Sequence, residues 1–299
     1  MKNSLIDRIH DIQENRFQPL VDLDNIKQGA HGRVIICFDQ KYNRKVAIKE
    51  IIHDAGEQLI PTHAIREIAA YRRIKSHINI VECFEIFGQS PLYFCMTAMM
   101  SSLKPVIREH SMSKAIKQSV KRQIANGMSW CHEQRIMHRD LKPDNILIDM
   151  NNHIRIADFG LATIISPSNQ RSLSLDAVTL WYRPLELLLG KKFYNEKIDV
   201  WALGCVYYEI DNAYPLFRGD SKIGQIMEIC KLLGSPNDNS MPEFSKFDFS
   251  LLSEFPKFHE NSSSKLTELV KSTLSYDDSK RPNMFQILTE LNEKGDDVK

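Results

Sequence analysis

The chain has 299 residues, enough to bury a sizeable core and to divide into two lobes. Its composition, 42% hydrophobic and 26% charged, is that of an ordinary globular protein and excludes the disordered and fibrous classes. The formal net charge of +1 gives no electrostatic signal for nucleic acid or a membrane surface, and no apolar run approaches the roughly 18 residues that span a bilayer. The six cysteines (37, 83, 95, 131, 205 and 230) have no C-x-x-C or zinc-like spacing, so they read as reduced thiols of an intracellular protein, nuclear or cytoplasmic.

The first seventeen residues contain no apolar signal core and no readable function. At 26–34, "IKQGAHGRV" matches the pattern G-x-G-x-x-G-x-V at Gly29, Gly32 and Val34, but Lys27 stands at the first glycine position. On these residues alone, a phosphate-cradling loop and an ordinary hairpin turn both remain open. "RVIICF" and "KVAIKEII" are β-branched runs separated by the turn-prone "DQKYNR". Within the second run Ala47 and Lys49 are two apart, so they face one side of a strand. A helix is predicted from Thr62 to Lys75, with Ala64, Ile68 and Tyr71 at helical spacing. Glu67 borders that apolar face. A carboxylate turned inward needs a cation, and Lys49 is the candidate.

From about residue 101 the pattern turns helical. "AIKQSVKRQIANGMSWCHEQ" sets Ile116, Val120, Ile124, Met128 and Cys131 on one stripe, and "VWALGCVYYEI" is apolar nearly all round, as in a buried helix. Between them, "ILI" and "HIRIA" are strand-like runs joined by the turn-prone "DMNN". Paired as a hairpin, they bring Asn145 to Asp158, an amide oxygen and a carboxylate suited to Mg²⁺. Asp140 and Lys142 precede them in the same loop, offering a proton acceptor and a phosphate-steadying cation. A strand-rich first third followed by helices predicts an α+β, two-lobed fold, with the lobes meeting near Thr97–Ser102.

In this order, the glycine loop, "VAIK", the helix glutamate, "HRDLKPDN" and "DFG" make the chain resemble the eukaryotic Ser/Thr protein kinases over roughly residues 20–290. "PTHAIRE" (61–67), "VTLWYR" (178–183) and "FRGDS" (217–221) are similar to the cyclin-dependent group within them. The resemblance implies a bilobal kinase fold with an N-terminal extension (1–17), an ATP-binding lobe (18–99), a catalytic and peptide-binding lobe (100–290) and a tail (291–299). It implies transfer of the ATP γ-phosphate to protein Ser or Thr, with Mg²⁺, in cell-cycle or transcription control.

Carried over by position, the resemblance makes Asp140 the catalytic base, Lys142 a γ-phosphate contact, and Asn145 and Asp158 the metal ligands. Lys49 holds the α- and β-phosphates and pairs with Glu67, while Thr179 supports the catalytic loop. Lys27, Gly29, Gly32, Val34 and Ala47 line the ATP site, with Met96 as gatekeeper and Thr97 to Met99 as the adenine-binding hinge. Val178 and Arg183 shape a proline-accepting substrate pocket, and Glu186 and Arg281 form a buried ion pair.

Three departures bear on regulation. Ala30 and His31 offer no hydroxyl at the loop tip. Ser174 stands at the activating phosphosite, where Arg66 and Arg139 match two of three phosphate-clasping arginines and Thr163 replaces the third. "PLE" (184–186) keeps only the glutamate of Ala-Pro-Glu. "PTHAIRE" therefore points to a cyclin partner, and the lost controls point to a monomeric kinase that activates other cyclin-dependent kinases. A pseudokinase scaffold is the reading from a different class, motivated by Lys27 and "PLE".

Overall fold

The computed structural model describes residues 5, 9, 13, 15–20, 27–29, 32–51, 60–165, 180–241 and 266–296. Six strands open the chain: β1 (Phe17–Pro19), β2 (Lys27–Gly29), β3 (Gly32–Asp39), β4 (Arg44–Ile51), then, after helix α1 (Thr62–Arg73), β5 (Cys83–Gly88) and β6 (Leu92–Thr97). They form one antiparallel sheet in the order β1-β3-β4-β6-β5, with β2 also paired to β3. Each face of this sheet has its own apolar cluster. Ile35, Cys37, Val46, Ile48, Tyr93 and Cys95 lie on the outer face, and Ile51, Leu92, Phe94 and Met96 pack against Ala64 of α1 on the inner.

The outer cluster also contains Leu5, Ile9 and Phe17. The expected boundary after residue 17 falls inside β1, and Leu5 and Ile9 before it belong to the small-lobe cluster. Arg16 fastens it, donating to both carboxylate oxygens of buried Asp39 (2.8 Å each) and to Glu85 (2.7 Å). Those partners sit on the end of β3 and on β5. Phe17 stacks on Phe87 with ring centroids 5.6 Å apart.

Helix α1 ends two residues earlier than predicted, because Ile74 turns extended (φ −69°, ψ 114°). It buries Ala64, Glu67 and Ala70, three apart on one face, and Arg72 and Arg73 in its last turn complement the helix dipole.

The large lobe begins with β7 (Ser101–Ser102) and α2 (Leu103–Arg108), so the 99/100 division falls between β6 and β7. Helix α3 (Lys114–Glu133) follows, capped by the Ser113 hydroxyl on the Ile116 N–H. Val120, Ile124, Met128 and Cys131 of the predicted stripe are buried in it. Next come β8 (Ile136–Met137), β9 (Ile146–Ile148), β10 (Ile154–Ile156) and β11 (Thr163–Ile164), and β9 and β10 pair as the expected hairpin with Ile146 opposite Ile156. Among the described residues, the remaining helices are α4 (Leu185–Leu188), α5 (Lys197–Asn212), α6 (Lys222–Leu233), α7 (Glu268–Thr273) and α8 (Met284–Asp296). Helix α5 buries every residue from Ile198 to Ile210. The tail expected from residue 291 begins inside α8, which runs to Asp296 and buries Leu291.

All six cysteines are free, five of them buried. Burial pushes the Cys37 and Cys83 thiols up to about 12, which makes them poor nucleophiles at neutral pH. Among the described residues, no helix is long and apolar enough to cross a membrane.

Candidate active site

Strand alternation builds the small-lobe half of the site. Val34 pairs with Lys49, and Ala47 with Ile36 and Met96, which sets Val34, Ala47, Lys49 and Met96 on the inner face. The glycine segment is itself a hairpin, with Gly29 opposite Gly32 and Lys27 opposite Val34. The segment is a hairpin, and its inner row leads to Lys49. Gly32 is required there. Its φ is +152°, and a Cβ would stand 2.1 Å from the Glu50 carbonyl oxygen.

Lys49 is buried and donates to both oxygens of Glu67 (3.0 and 2.9 Å) and to Asp158 Oδ1 (3.3 Å). Burial opposes its charge, but the two carboxylates outweigh it and hold the ammonium above the ordinary lysine range. One lysine thus connects strand β4, helix α1 and the segment after β10.

The large-lobe half hangs on the β9–β10 hairpin. Ala157 N–H donates to the Asn145 carbonyl at 2.9 Å, which places Asn145 beside Asp158. The Asn145 amide nitrogen donates to Asp140 twice, to its carbonyl (2.9 Å) and to Oδ2 (2.8 Å), so the amide oxygen is directed away from Asp140. Lys142 also donates to Asp140 Oδ2, at 2.8 Å. Asp140, Lys142 and Asn145 thus lie within direct hydrogen-bonding distance of one another's groups, with Asp158 brought alongside by the hairpin.

Asp199, His132, His138, Tyr71 and Phe159, to which the sequence reading gave no role at the site, organise this half. Asp199, at the start of α5, accepts from the backbone N–H of His138 (2.9 Å) and Arg139 (2.8 Å) and from His132 Nε2 (2.9 Å). Burial works against its carboxylate, yet the His132 bond and the surrounding donors hold its pKa below the usual carboxylate range. His138 meets the Ala157 carbonyl through Nε2 (3.0 Å) and the Asp140 N–H through Nδ1 (3.2 Å), which assigns its proton to Nε2. Tyr71 sits edge-on to Phe159 at 5.5 Å, and Phe159 lies 5.0 Å from His138. The only sequence signal for Asp199 was an acid opening a buried helix.

At the expected hinge, Thr97 N–H is committed to the Glu82 carbonyl (3.0 Å). Arg183 lies in a cavity wall shared with Asp140, Tyr182, Pro184 and Leu187. Glu186 and Arg281 form the expected pair, bidentate at 2.7 and 2.9 Å and fully buried. Ser174, Val178 and Thr179, with Ala30 and His31, lie outside the described residues.

The donor set suits magnesium. Asp158 and Asn145 offer only hard oxygens, and among the described residues no cluster of three His, Cys, Asp or Glu could hold a metal by itself. Such a pair fits an ion that completes its shell with phosphate and water.

Residues 20–291 match the protein kinase domain family. The chain belongs to the protein kinase family. The kinase is 36% identical over 255 residues to cyclin-dependent kinase 20 of Danio rerio, covering 84% of this chain and 73% of that protein. It is 38% identical over 232 residues to cyclin-dependent kinase 2 of Caenorhabditis elegans, covering 75% and 62% respectively. A third relative is cell division control protein 2 homolog 3 of Trypanosoma brucei brucei, at 35% over 228 residues, covering 75% and 73%. Among solved structures, the yeast RNA Pol II CTD kinase CTDK-1 complex superposes with a TM-score of 0.80 at 27% identity, covering 92% of this chain and 91% of that one. The kinase is therefore a Ser/Thr protein kinase of the cyclin-dependent type, with the bilobal kinase fold, and the scaffold reading is set aside.

Proposed function

We propose that this kinase binds ATP beneath the β2–β3 hairpin and transfers its γ-phosphate to Ser or Thr of a protein, under control of a cyclin bound at Pro61–Glu67. The observation that carries the reading is Lys49, held as a cation between Glu67 and Asp158 at the inner face of the sheet. Its ammonium is fixed where α- and β-phosphates would lie, and Gly29 and Gly32 let the hairpin backbone approach them. Val34, Ala47 and Met96 wall the adenine, and Thr97 to Met99 offer backbone groups to it. Asp140, fixed by Asn145 and Lys142, orients the substrate hydroxyl and accepts its proton, while Lys142 steadies the γ-phosphate. Asn145 and Asp158 are the residues that would hold Mg²⁺, which supplies charge neutralisation on the phosphates.

For the substrate, Arg183 beside Asp140, with Val178, supports a proline after the accepting residue, and Thr179 supports the catalytic loop. The cyclin-dependent relatives support a cyclin partner and a role in cell-cycle or transcription control, in nucleus or cytoplasm. A second reading concerns Ser174. Arg139 is anchored without a phosphate, through the Leu161 carbonyl (3.1 Å) and the face of Tyr194 (5.7 Å), and Thr163 belongs to β11. Phosphorylation of Ser174 accordingly adjusts activity rather than switching it on.

The test is a kinase assay of the purified chain on Ser/Thr-Pro peptides and on an activation-loop peptide, with and without a cyclin, against Asp140→Asn. Activity that needs the cyclin and vanishes in the variant is expected. Full activity alone would replace the cyclin reading with the monomeric one. Absence of nucleotide binding would overturn the whole proposal.

A further inference from the structure

At the outer face of the sheet, one cross-strand row differs from its neighbours. The rows Ile35–Ile48–Cys95 and Cys37–Val46–Thr97 are largely apolar, while the next row toward the glycine hairpin is Arg33–Glu50–Tyr93. Glu50 is only 2% exposed, yet it is a carboxylate. Arg33 donates to its Oε2 from Nε at 2.7 Å and contacts the same oxygen through Nη2, and the Tyr93 hydroxyl donates to Oε1 at 3.4 Å.

The position of this row matters more than its energy. Among the described residues, β2 pairs with β3 and no other strand, and β1 pairs with β3 at its far end, opposite Cys37 to Asp39. Near Gly32, therefore, β4 is the strand that holds the hairpin to the lobe among the described residues. Gly32 has no side chain to pack, so Arg33 is the first side chain after the tip that can grip β4. It does so on Glu50, the residue next to Lys49. An apolar pair would serve cohesion equally well, but it slides easily, whereas a guanidinium fork on a buried carboxylate fixes direction and register. The hairpin also lacks the first glycine of its pattern, with Lys27 paired to Val34.

We infer that Arg33 is a positioning residue for the nucleotide site: its ion pair with Glu50 pins the β2–β3 hairpin at a fixed height over Lys49. The inference rests on the ATP reading above. It requires no contact between Arg33 and the nucleotide, since Arg33 faces away from the inner row.

The experiment uses the full chain and three variants: Arg33→Met, Arg33→Lys, and Arg33→Met with Glu50→Gln. Amide hydrogen exchange is followed over residues 27–34 and over β5–β6, and Kd is measured for a fluorescent ATP analogue. Arg33→Met is expected to speed hairpin exchange about tenfold, with β5–β6 unchanged, and to raise Kd about tenfold. Arg33→Lys is expected to recover part of both. The double variant also removes the buried charge that Arg33 neutralised, so it regains Tm but neither exchange protection nor affinity. A fall in Tm with uniform exchange across the sheet would make the pair merely structural and overturn the inference, as would faster hairpin exchange with unchanged Kd. A parent chain that binds no analogue refutes the ATP reading instead, and the exchange arm still decides whether Arg33 pins the hairpin.

Discussion

Asp199 holds Arg139 in a left-handed backbone conformation: its Oδ1 accepts from the Arg139 N–H at 2.8 Å, while φ at Arg139 is +69°. Asp158, across the site, has φ +63°. Non-glycine residues in this region cost roughly 1–3 kcal/mol each and persist only where the surroundings over-determine them. Asp199 is that constraint for the catalytic loop. Asp199→Asn replaces one acceptor oxygen with a donor facing backbone N–H groups. The expected result is a kcat lower by on the order of 10²-fold with ATP Kd little changed, as read by steady-state kinetics beside analogue binding.

The same carboxylate predicts a pH effect. Folded Asp199 has a depressed pKa, so near pH 4 it binds fewer protons than its unfolded counterpart. Its stabilising contribution is complete above the unfolded carboxylate value of about 3.9 and is lost as pH falls below it toward the folded pKa. Thermal melts from pH 7 to pH 3 should show the parent losing more Tm at the acid end than Asp199→Asn does. Parallel curves would remove this role from Asp199.

Lys49→Met should act on two quantities at once. It leaves Glu67 buried without its cation, a defect of about 3–5 kcal/mol by denaturant unfolding. It also removes the charge proposed to hold the phosphates, so kcat/KM should fall by on the order of 10²–10³-fold. Adding Glu67→Gln should restore much of the stability and none of the activity.

Arg281 tests geometry rather than charge. Its guanidinium satisfies Glu186 twice, the Ser275 carbonyl and the Lys197 carbonyl while lying 5.1 Å from the Trp201 ring. Lysine keeps the charge and loses the fork. Arg281→Lys should therefore still cost about 2–3 kcal/mol, and Arg281→Ala about 3–5, in urea titrations.

Much of the catalytic half was legible because its residues lie close in sequence. Asp140, Lys142 and Asn145 share one loop, and a two-stranded hairpin suffices to deliver Asp158. Lys49 and Glu67 were reachable through strand alternation and helical spacing. What escaped depends on pairing between distant segments. Asp199 looked like one polar residue at the head of an apolar helix, since nothing local shows that a loop sixty residues earlier needs its oxygens. Arg33 and Glu50 become partners only once β3 and β4 align in register. Leu5 and Ile9 were missed for another reason: with Ile6 and Ile12 they make only a short apolar pattern at helical spacing in a polar stretch, and the sheet that Leu5 and Ile9 cover gives it meaning.

Arg16→Met offers a clean separation of stability from chemistry. Asp39 is fully buried and owes its depressed pKa first to the Arg16 hydrogen bonds. Its loss of partner should lower stability by about 3 kcal/mol in denaturant unfolding. Because Arg16 lies on the outer face, kcat of the folded fraction should be unchanged.

The segment around Leu5, Ile9 and Phe17 also changes what counts as the kinase unit. Residues 20–291 share the family pattern, but a protein trimmed to that range would present a naked apolar sheet face to water. Such a surface invites self-association, so the shortened protein should precipitate or oligomerise where the full chain stays monodisperse. The shared ancestry of this molecule and the physical boundary of its folding unit are different lengths of chain.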